Sequence, residues 1–196
     1  VFARHNGIVE YWVLELNKPF YEKRQNTFKP ITPIFHYSNC ERSELSSSYL
    51  KDMCNEGEMM IEIKIPGNKT LQLEHLVLDY NGTIAFDGAL IDGVKDCLAK
   101  LSHMLTVHVI TADTFGSVKK ALEGIACKLA VIPLDHQDAA KLEYVNNLGC
   151  EQTVSMGNGV NDRLMLKASA LGVAVIQGEG AAFETLASAD MVCKDI

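Results

Sequence analysis

Apolar residues are spaced in two different ways along this chain. From residue 60 onward they fall into short runs and helical repeats; over 1–59 no sustained helical period emerges. The alternation over 61–65 predicts a strand, and Pro66-Gly67-Asn68 predicts a turn. Residues 75–80 hold the run Leu76, Val77 and Leu78, which suits a strand buried on both faces of a parallel sheet. Ile91, Val94, Cys97, Leu98, Leu101 and Leu105 recur at helical spacing and predict a helix over 91–104. Further strands are predicted over 105–110, 127–132, 151–156, 171–176 and 190–193. Helices are predicted over 115–125, 138–148, 161–170 and 181–187, with Gly149 as the residue that ends the second. Strand and helix thus alternate with short connections, the pattern of an α/β fold with a doubly wound parallel sheet and right-handed crossovers.

The first 59 residues form the other part. They carry nine of the fourteen aromatic residues but two of the fourteen glycines. A strand over 11–16 and a polar loop over 38–48 are the only local readings. Glu56-Gly57-Glu58-Met59-Met60 is what a purine-rich ribosome-binding site followed by a start codon would encode in frame, and the first residue is Val. Two expectations stay open: translation that starts at Met59 or Met60, or a genuine small extension ahead of a domain spanning 60–196.

Composition narrows the function classes. With 196 residues, 47% hydrophobic and 22% charged, the chain reads as a globular protein. A formal charge of −7 disfavours nucleic acid as a partner but leaves room for a small phosphorylated ligand beside a metal ion. No apolar run is long enough to span a bilayer, and no basic-then-apolar leader pattern opens the chain. The six cysteines (Cys40, Cys54, Cys97, Cys127, Cys150 and Cys193) include no closely spaced pair and read as reduced thiols. A cytoplasmic protein is the expectation.

Candidate chemistry lies at the strand ends. The strand at 75–80 runs into Asp79-Tyr80-Asn81-Gly82-Thr83; the next ends in Thr111-Ala112-Asp113; a later one runs into Gly157-Asn158-Gly159-Val160-Asn161-Asp162. Lys141 lies early in a helix. In a parallel sheet all strand C-termini share one edge, where ligands bind. A carboxylate can attack phosphorus, hydroxyls and backbone N–H groups can hold phosphoryl oxygens, a lysine can offset charge, and oxygens from two loops can hold Mg²⁺.

This ordered set resembles the haloacid dehalogenase (HAD) superfamily, in particular the phosphorylation domain of P-type ATPases and the small soluble P-type ATPase-like proteins, over residues 60–196. The resemblance implies a HAD-like Rossmannoid core and an aspartyl-phosphate on Asp79. It implies Thr111 and Lys141 as phosphate clamp. Asn81, Gly82, Thr83, Ala112 and Asn161 would line the phosphate, and Asp79, Asn81, Asn158 and Asp162 would surround Mg²⁺. Residues 84–90 leave too little chain for a cap domain, and an open site of this kind implies a macromolecular substrate or closure by a homo-oligomer. Two departures stand out. Asn81 occupies the position of the usual acid/base aspartate, and Asn158 that of a metal-binding aspartate, so turnover of a phosphorylated small molecule or phosphoprotein is expected to be slow. The alternative is a non-catalytic module that binds Mg²⁺ and phosphate or regulates a transporter. Three weaker candidates are each outweighed by a plainer reading: His103 and His108 as ligands against satisfied or exposed side chains, Gly178-Glu179-Gly180 as a phosphate cradle against a plain loop before a helix, and Asp87 and Asp92 as substrate contacts against turn and helix-start residues.

Overall fold

The structure, a computed structural model, describes residues 59–65, 69–113 and 116–196. The expectations for 1–58, the turn at 66–68 and the helix start at Phe115 lie outside the described residues. Two short strands, β1 (Ile61–Lys64) and β2 (Thr70–Leu73), pair antiparallel with Ile61 opposite Leu73. β2 extends the alternation of β1 beyond the predicted strand: Ile61, Ile63, Leu71 and Leu73 all turn inward. Lys69 Nζ donates to the Ala170 carbonyl at 2.9 Å and ties this hairpin to the main sheet.

The main sheet starts with β3 (His75–Asp79). After a small hairpin of β4 (Ala85–Phe86) and β5 (Ala89–Leu90) the chain forms α1 (Val94–Leu101), β6 (Thr106–Thr111), α2 (Ser117–Ala121) and β7 (Lys128–Val131). It continues through α3 (Gln137–Leu148), β8 (Thr153–Gly157), α4 (Arg163–Ala168), β9 (Leu171–Val175), α5 (Phe183–Ser188) and β10 (Met191–Cys193). All six main strands are parallel, in the order β10-β9-β8-β3-β6-β7. The chain winds outward from β3 through β6 to β7, then returns to the other side of β3 and winds out through β8 and β9 to β10. β3 and β8 are therefore the strands between which the winding reverses, the place where open α/β sheets form a ligand crevice.

Alternation along each strand builds two apolar layers. Leu76, Leu78, Val107, Val109 and Val173 pack with the β1–β2 hairpin, Val94 and Leu98 of α1, and Val118 of α2. Val77, Ile110 and Ala174 pack with Val145 of α3 and with Met165 and Leu166 of α4. Asp79 follows Val77 at the two-residue period, so its side chain emerges on the α3 side. Lys141 precedes Val145 by one turn on the buried face of α3. The patterns of strand and helix thus bring these two residues to one place.

α1, α2 and α4 are shorter than the predicted helices, whereas α3 matches its predicted span to within one residue. α1 begins only after Gly93, whose φ of 89° is non-helical. The predicted helix over 161–170 splits into a 3₁₀ turn, Val160–Asp162, followed by α4. The β4–β5 hairpin is absent from the periodicity, yet its turn residues Asp87 and Gly88 (φ 48° and 76°) are a standard hairpin pair. Gly172 marks the tightest crossing between layers: a Cβ there would sit 2.2 Å from the Leu166 carbonyl oxygen. Gly172→Ala is expected to lower unfolding free energy by about 1–3 kcal/mol through forced separation of α4 from β9, read by urea melts. Among the described residues no helix is long and apolar enough to cross a membrane.

Candidate active site

Asp79 sits at the C-terminal end of β3, opposite Ile110 of β6. Lys141, 1% exposed, reaches from α3 and donates to Asp79 Oδ1 and to Asp162 Oδ1, each at 2.6 Å. The other Asp162 oxygen accepts the backbone N–H groups of Asn158 and Gly159, at 3.0 and 2.8 Å. Asp162 therefore closes its own loop and holds the lysine; both of its oxygens are committed. The expectation that grouped it with the metal-binding oxygens meets this constraint.

The remaining Asp79 oxygen, Oδ2, has Thr83 Oγ1 at 3.2 Å. The same hydroxyl lies 3.3 Å from Asn158 Oδ1, so its single proton is shared between two acceptors. Asn158 Nδ2 donates to the Gly180 carbonyl at 3.0 Å. A carbonyl can only accept, which fixes the orientation of this amide: nitrogen toward Gly180, oxygen toward Thr83. The Asn158 side chain also rests on the Gly82 backbone, where an added Cβ would meet it at 2.3 Å; Gly82 has a φ of 75°. Asn81 is exposed, and its carbonyl takes no backbone hydrogen bond among the described residues.

Two buried carboxylates share one ammonium here. Burial raises the Asp79 pKa to about 7, the Asp162 charge adds to the rise, and Lys141 and Thr83 act against it. Burial also disfavours the Lys141 ammonium, but the two carboxylates outweigh it and hold its pKa above the ordinary value. With both carboxylates ionised, two negative charges face one ammonium and the cluster is left with one net negative charge. No group of three or more His, Cys, Asp or Glu among the described residues could hold a metal. A cation at this edge would be met by Asp79 and neutral oxygens, from the Asn81 carbonyl and Asn158 Oδ1.

The other expected site residues are spread around this network. Thr111 is buried, and its hydroxyl accepts the Asp113 N–H at 3.1 Å. Asp113 in turn caps α2 through Ser117 and the Val118 N–H. Ala112 packs on the α3-side core. Asn161 donates to Gln137 Oε1 at 2.7 Å. His108 is satisfied by Tyr144 at 2.9 Å and His75 at 3.3 Å, and burial brings its pKa down to about 4.

A fourth strand tip takes part that the sequence offered only as a loop. After β9, Gln177 Nε2 donates to the Thr83 carbonyl at 3.3 Å, Glu179 Oε1 accepts the Asp87 N–H at 3.0 Å, and Phe86 packs over Gly178. Ala182 N–H donates to the Asn158 carbonyl at 2.9 Å. The 177–182 turn thus ties the Asp79 loop to the Asn158 loop. Its sequence signals are the Gly178-Glu179-Gly180 triplet and its place after a strand that ends at the shared edge.

No protein-family model matches the chain. Among solved structures, hypothetical protein XCC2798 from Xanthomonas campestris is similar at 20% identity and a TM-score of 0.52, over 63% of this chain and 73% of that one. A candidate HAD superfamily (subfamily III A) hydrolase from Legionella pneumophila is similar at 17% identity and a TM-score of 0.51, over 63% of this chain and 74% of that one. A candidate 3-deoxy-D-manno-octulosonate 8-phosphate phosphatase from Vibrio cholerae gives 17% and 0.51, over 61% and 73%. The protein has a HAD-like fold. In sequence, it is 44% identical over 39 residues to Uncharacterized protein MJ0072 of Methanocaldococcus jannaschii, 20% of this chain and 89% of that protein. It is also 44% identical over 61 residues to Uncharacterized protein MJ0073 of the same organism, 29% of this chain and 66% of that protein's length. The chain belongs to the family of MJ0072.

Proposed function

We propose that the protein is a Mg²⁺-dependent phosphohydrolase that works through an aspartyl-phosphate on Asp79, with slow turnover. The observation that carries this reading is the bridge from Lys141 to both Asp79 and Asp162, at the sheet edge where the winding reverses. It leaves one Asp79 oxygen with a single weak donor, facing that edge.

In this reading Asp79 Oδ2 supplies the electron pair for a new O–P bond as the bond from phosphorus to the leaving oxygen breaks. Lys141 holds the carboxylate in line and offsets charge as it shifts onto the phosphoryl oxygens. The Thr83 hydroxyl donates to those oxygens once Asp79 is esterified, and Thr111 lines the same edge. The leaving oxygen takes its proton from solvent, because the Asn81 amide has none to give. Water then attacks phosphorus, and Asp79 returns to its carboxylate as phosphate departs. With no carboxylate at 81 to draw a proton from that water, this second step is the slow one.

The donor set fits Mg²⁺, which takes few carboxylates and keeps several waters. Asp79, the Asn81 carbonyl and Asn158 Oδ1 would hold it. When bound, the ion supplies positive charge beside the transferring phosphoryl group.

The test is incubation with acetyl phosphate and Mg²⁺, followed by mass spectrometry and phosphate release. Wild type is expected to accumulate a phosphate adduct on Asp79, and Asp79→Asn to lose the adduct and at least about 10³-fold of the activity. Unchanged activity in that variant would overturn the nucleophile. A second reading, a binding module without turnover, is favoured by the amides at Asn81 and Asn158. Metal binding with no adduct and no phosphate release would select it.

A further inference from the structure

We propose that the open edge of the sheet is a docking surface for a polypeptide segment that carries basic and apolar side chains. The inference concerns what approaches the site, and it stands for an enzyme and for a binding module alike.

Among the described residues eight large apolar side chains are exposed, and six of them sit where strands end at the Asp79 edge. Val131 closes β7 and Leu134 follows it; Val160 follows β8; Ile176 and Phe183 follow β9; Phe86 lies in the hairpin after β3. Single exposed apolar residues are ordinary, but a concentration on the one edge that carries the candidate chemistry marks an interaction surface.

Contacts join the six into a run. Phe86 packs on Gly178, where an added Cβ would lie 2.6 Å from the ring, and Gly178 is two residues past Ile176. Thr185 Oγ1 donates to the Gly159 carbonyl at 2.6 Å, and Ala182 N–H to the Asn158 carbonyl at 2.9 Å. Phe183, between those two donors, therefore stands beside the turn that carries Val160. Val160 and Leu134 border one depression. The loops of Phe86 and Val160 are also the loops that close on Asp79: Thr83 Oγ1 lies 3.2 Å from Asp79 Oδ2 and 3.3 Å from Asn158 Oδ1. Phe183 is 78% exposed and Phe86 51%, so much of each ring is left uncovered by the fold.

Length points to a polypeptide. From β9 to β7 the run crosses four strand spacings, about 19 Å. An extended chain covers that distance with about six residues.

Charge selects among the large partners. Asp87, Asp135, Glu179 and Glu184 are exposed on the same edge, and Arg163 within the run is already paired with Asp138 at 3.0 Å. Such an edge repels nucleic acid and anionic membranes. Two copies of this chain laid edge to edge would set these carboxylates against each other. A segment with lysine or arginine between apolar side chains meets both the carboxylates and the apolar rim.

The test measures binding of three labelled peptides to the full chain with Mg²⁺ by fluorescence anisotropy. One alternates lysine with leucine, one glutamate with leucine, and one lysine with serine. The lysine–leucine peptide is expected to bind at least about tenfold tighter than either of the others, and more weakly as salt rises. Phe183→Ser removes an exposed ring from the rim and Asp135→Lys reverses an exposed charge; each is expected to weaken that binding at least about threefold. Met59→Ser, at an exposed apolar residue ahead of β1 and away from these strand ends, is expected to leave it unchanged. Equal affinity for the three peptides, or losses in the two edge variants no larger than in Met59→Ser, would overturn the docking surface. So would a dimer in sedimentation that Phe183→Ser disrupts, because a second copy would then cover the rim. Phosphate release from acetyl phosphate, which has no flanking residues to dock, tests the phosphohydrolase reading separately, so each reading can fail alone.

Discussion

Lys141→Met should cost the metal-free protein about 3–5 kcal/mol, because it leaves two buried carboxylates without their shared cation. Methionine matches the lysine stem in length and keeps the packing beside Val145, so the loss isolates the charge. Whole-domain stabilities run at about 5–15 kcal/mol, so the variant should remain folded only with a thin margin. The loss should also depend on pH with a definite sign. The folded-state pKa of Asp79, about 7, lies above its unfolded value. A group of this kind contributes stability that is fully present below the unfolded pKa and lost as pH rises through the folded one. In wild type that loss spans about pH 4 to 7. Without Lys141, which opposes the rise, the loss deepens and extends to higher pH. Urea melts in chelator at pH 5 and pH 8 should show a larger deficit at pH 8. Asp79→Asn, which removes one of the two competing carboxylates, should instead gain on the order of 2 kcal/mol over wild type at pH 8. A Lys141→Met deficit equal at both pH values would mean that packing, not charge, holds this centre together.

Much of this arrangement is legible in the sequence, for physical reasons that also set the limit. A strand buried on both faces must be continuously apolar, so 76–78 announces itself, and the polar residue that stops the run marks the strand end. α3 is the counter-case: the buried Lys141 interrupts the face it shares with Val145, so the helix shows no clear apolar repeat and the place of Lys141 is legible only through the resemblance. Sheet order is not local information. That β8 lies beside β3, so that the Asn158 loop faces Asp79, is visible only in the structure. The contacts of the 177–182 turn are hidden for another reason: the Gly180 carbonyl and the Ala182 N–H are backbone groups that any sequence carries. The β4–β5 hairpin shows the opposite case, since Asp87-Gly88 is a readable turn signal, but two-residue strands are too short to show a period. The cross-links Gln137–Asn161 and Asp138–Arg163 are hidden because each joins residues about 25 positions apart that share no pattern.

Aspartate restored at both amide positions is expected to raise phosphate release at saturating Mg²⁺, with the two changes far from additive. Asn81 is exposed at the mouth of the site, so Asn81→Asp adds a group able to draw a proton from attacking water. Such help is typically worth about 10²–10⁴ in rate. Here the new carboxylate faces a cluster that already has surplus negative charge, and like charges raise one another's pKa, so a gain of about tenfold is expected alone. Asn158→Asp acts differently from a simple gain of a metal ligand. The Asn158 amide donates to the Gly180 carbonyl, a bond that no carboxylate can make, and an ionised carboxylate in its place would set two acceptors against each other. In chelator this variant should lose about 1–3 kcal/mol of stability and loosen the 177–182 turn, which hydrogen exchange at Gly180 and Ala182 would register. With Mg²⁺ the added charge should strengthen metal binding and recover much of the loss. The double variant should therefore be the least stable of the set without metal and the fastest with it, because the bound cation offsets the repulsion that restrains Asn81→Asp. Phosphate release and melting temperature followed across a Mg²⁺ titration for wild type, both single variants and the double would decide it. A double variant no faster than wild type at saturating Mg²⁺ would show that the amides do not limit turnover, and the binding-module reading would take the place of the enzyme.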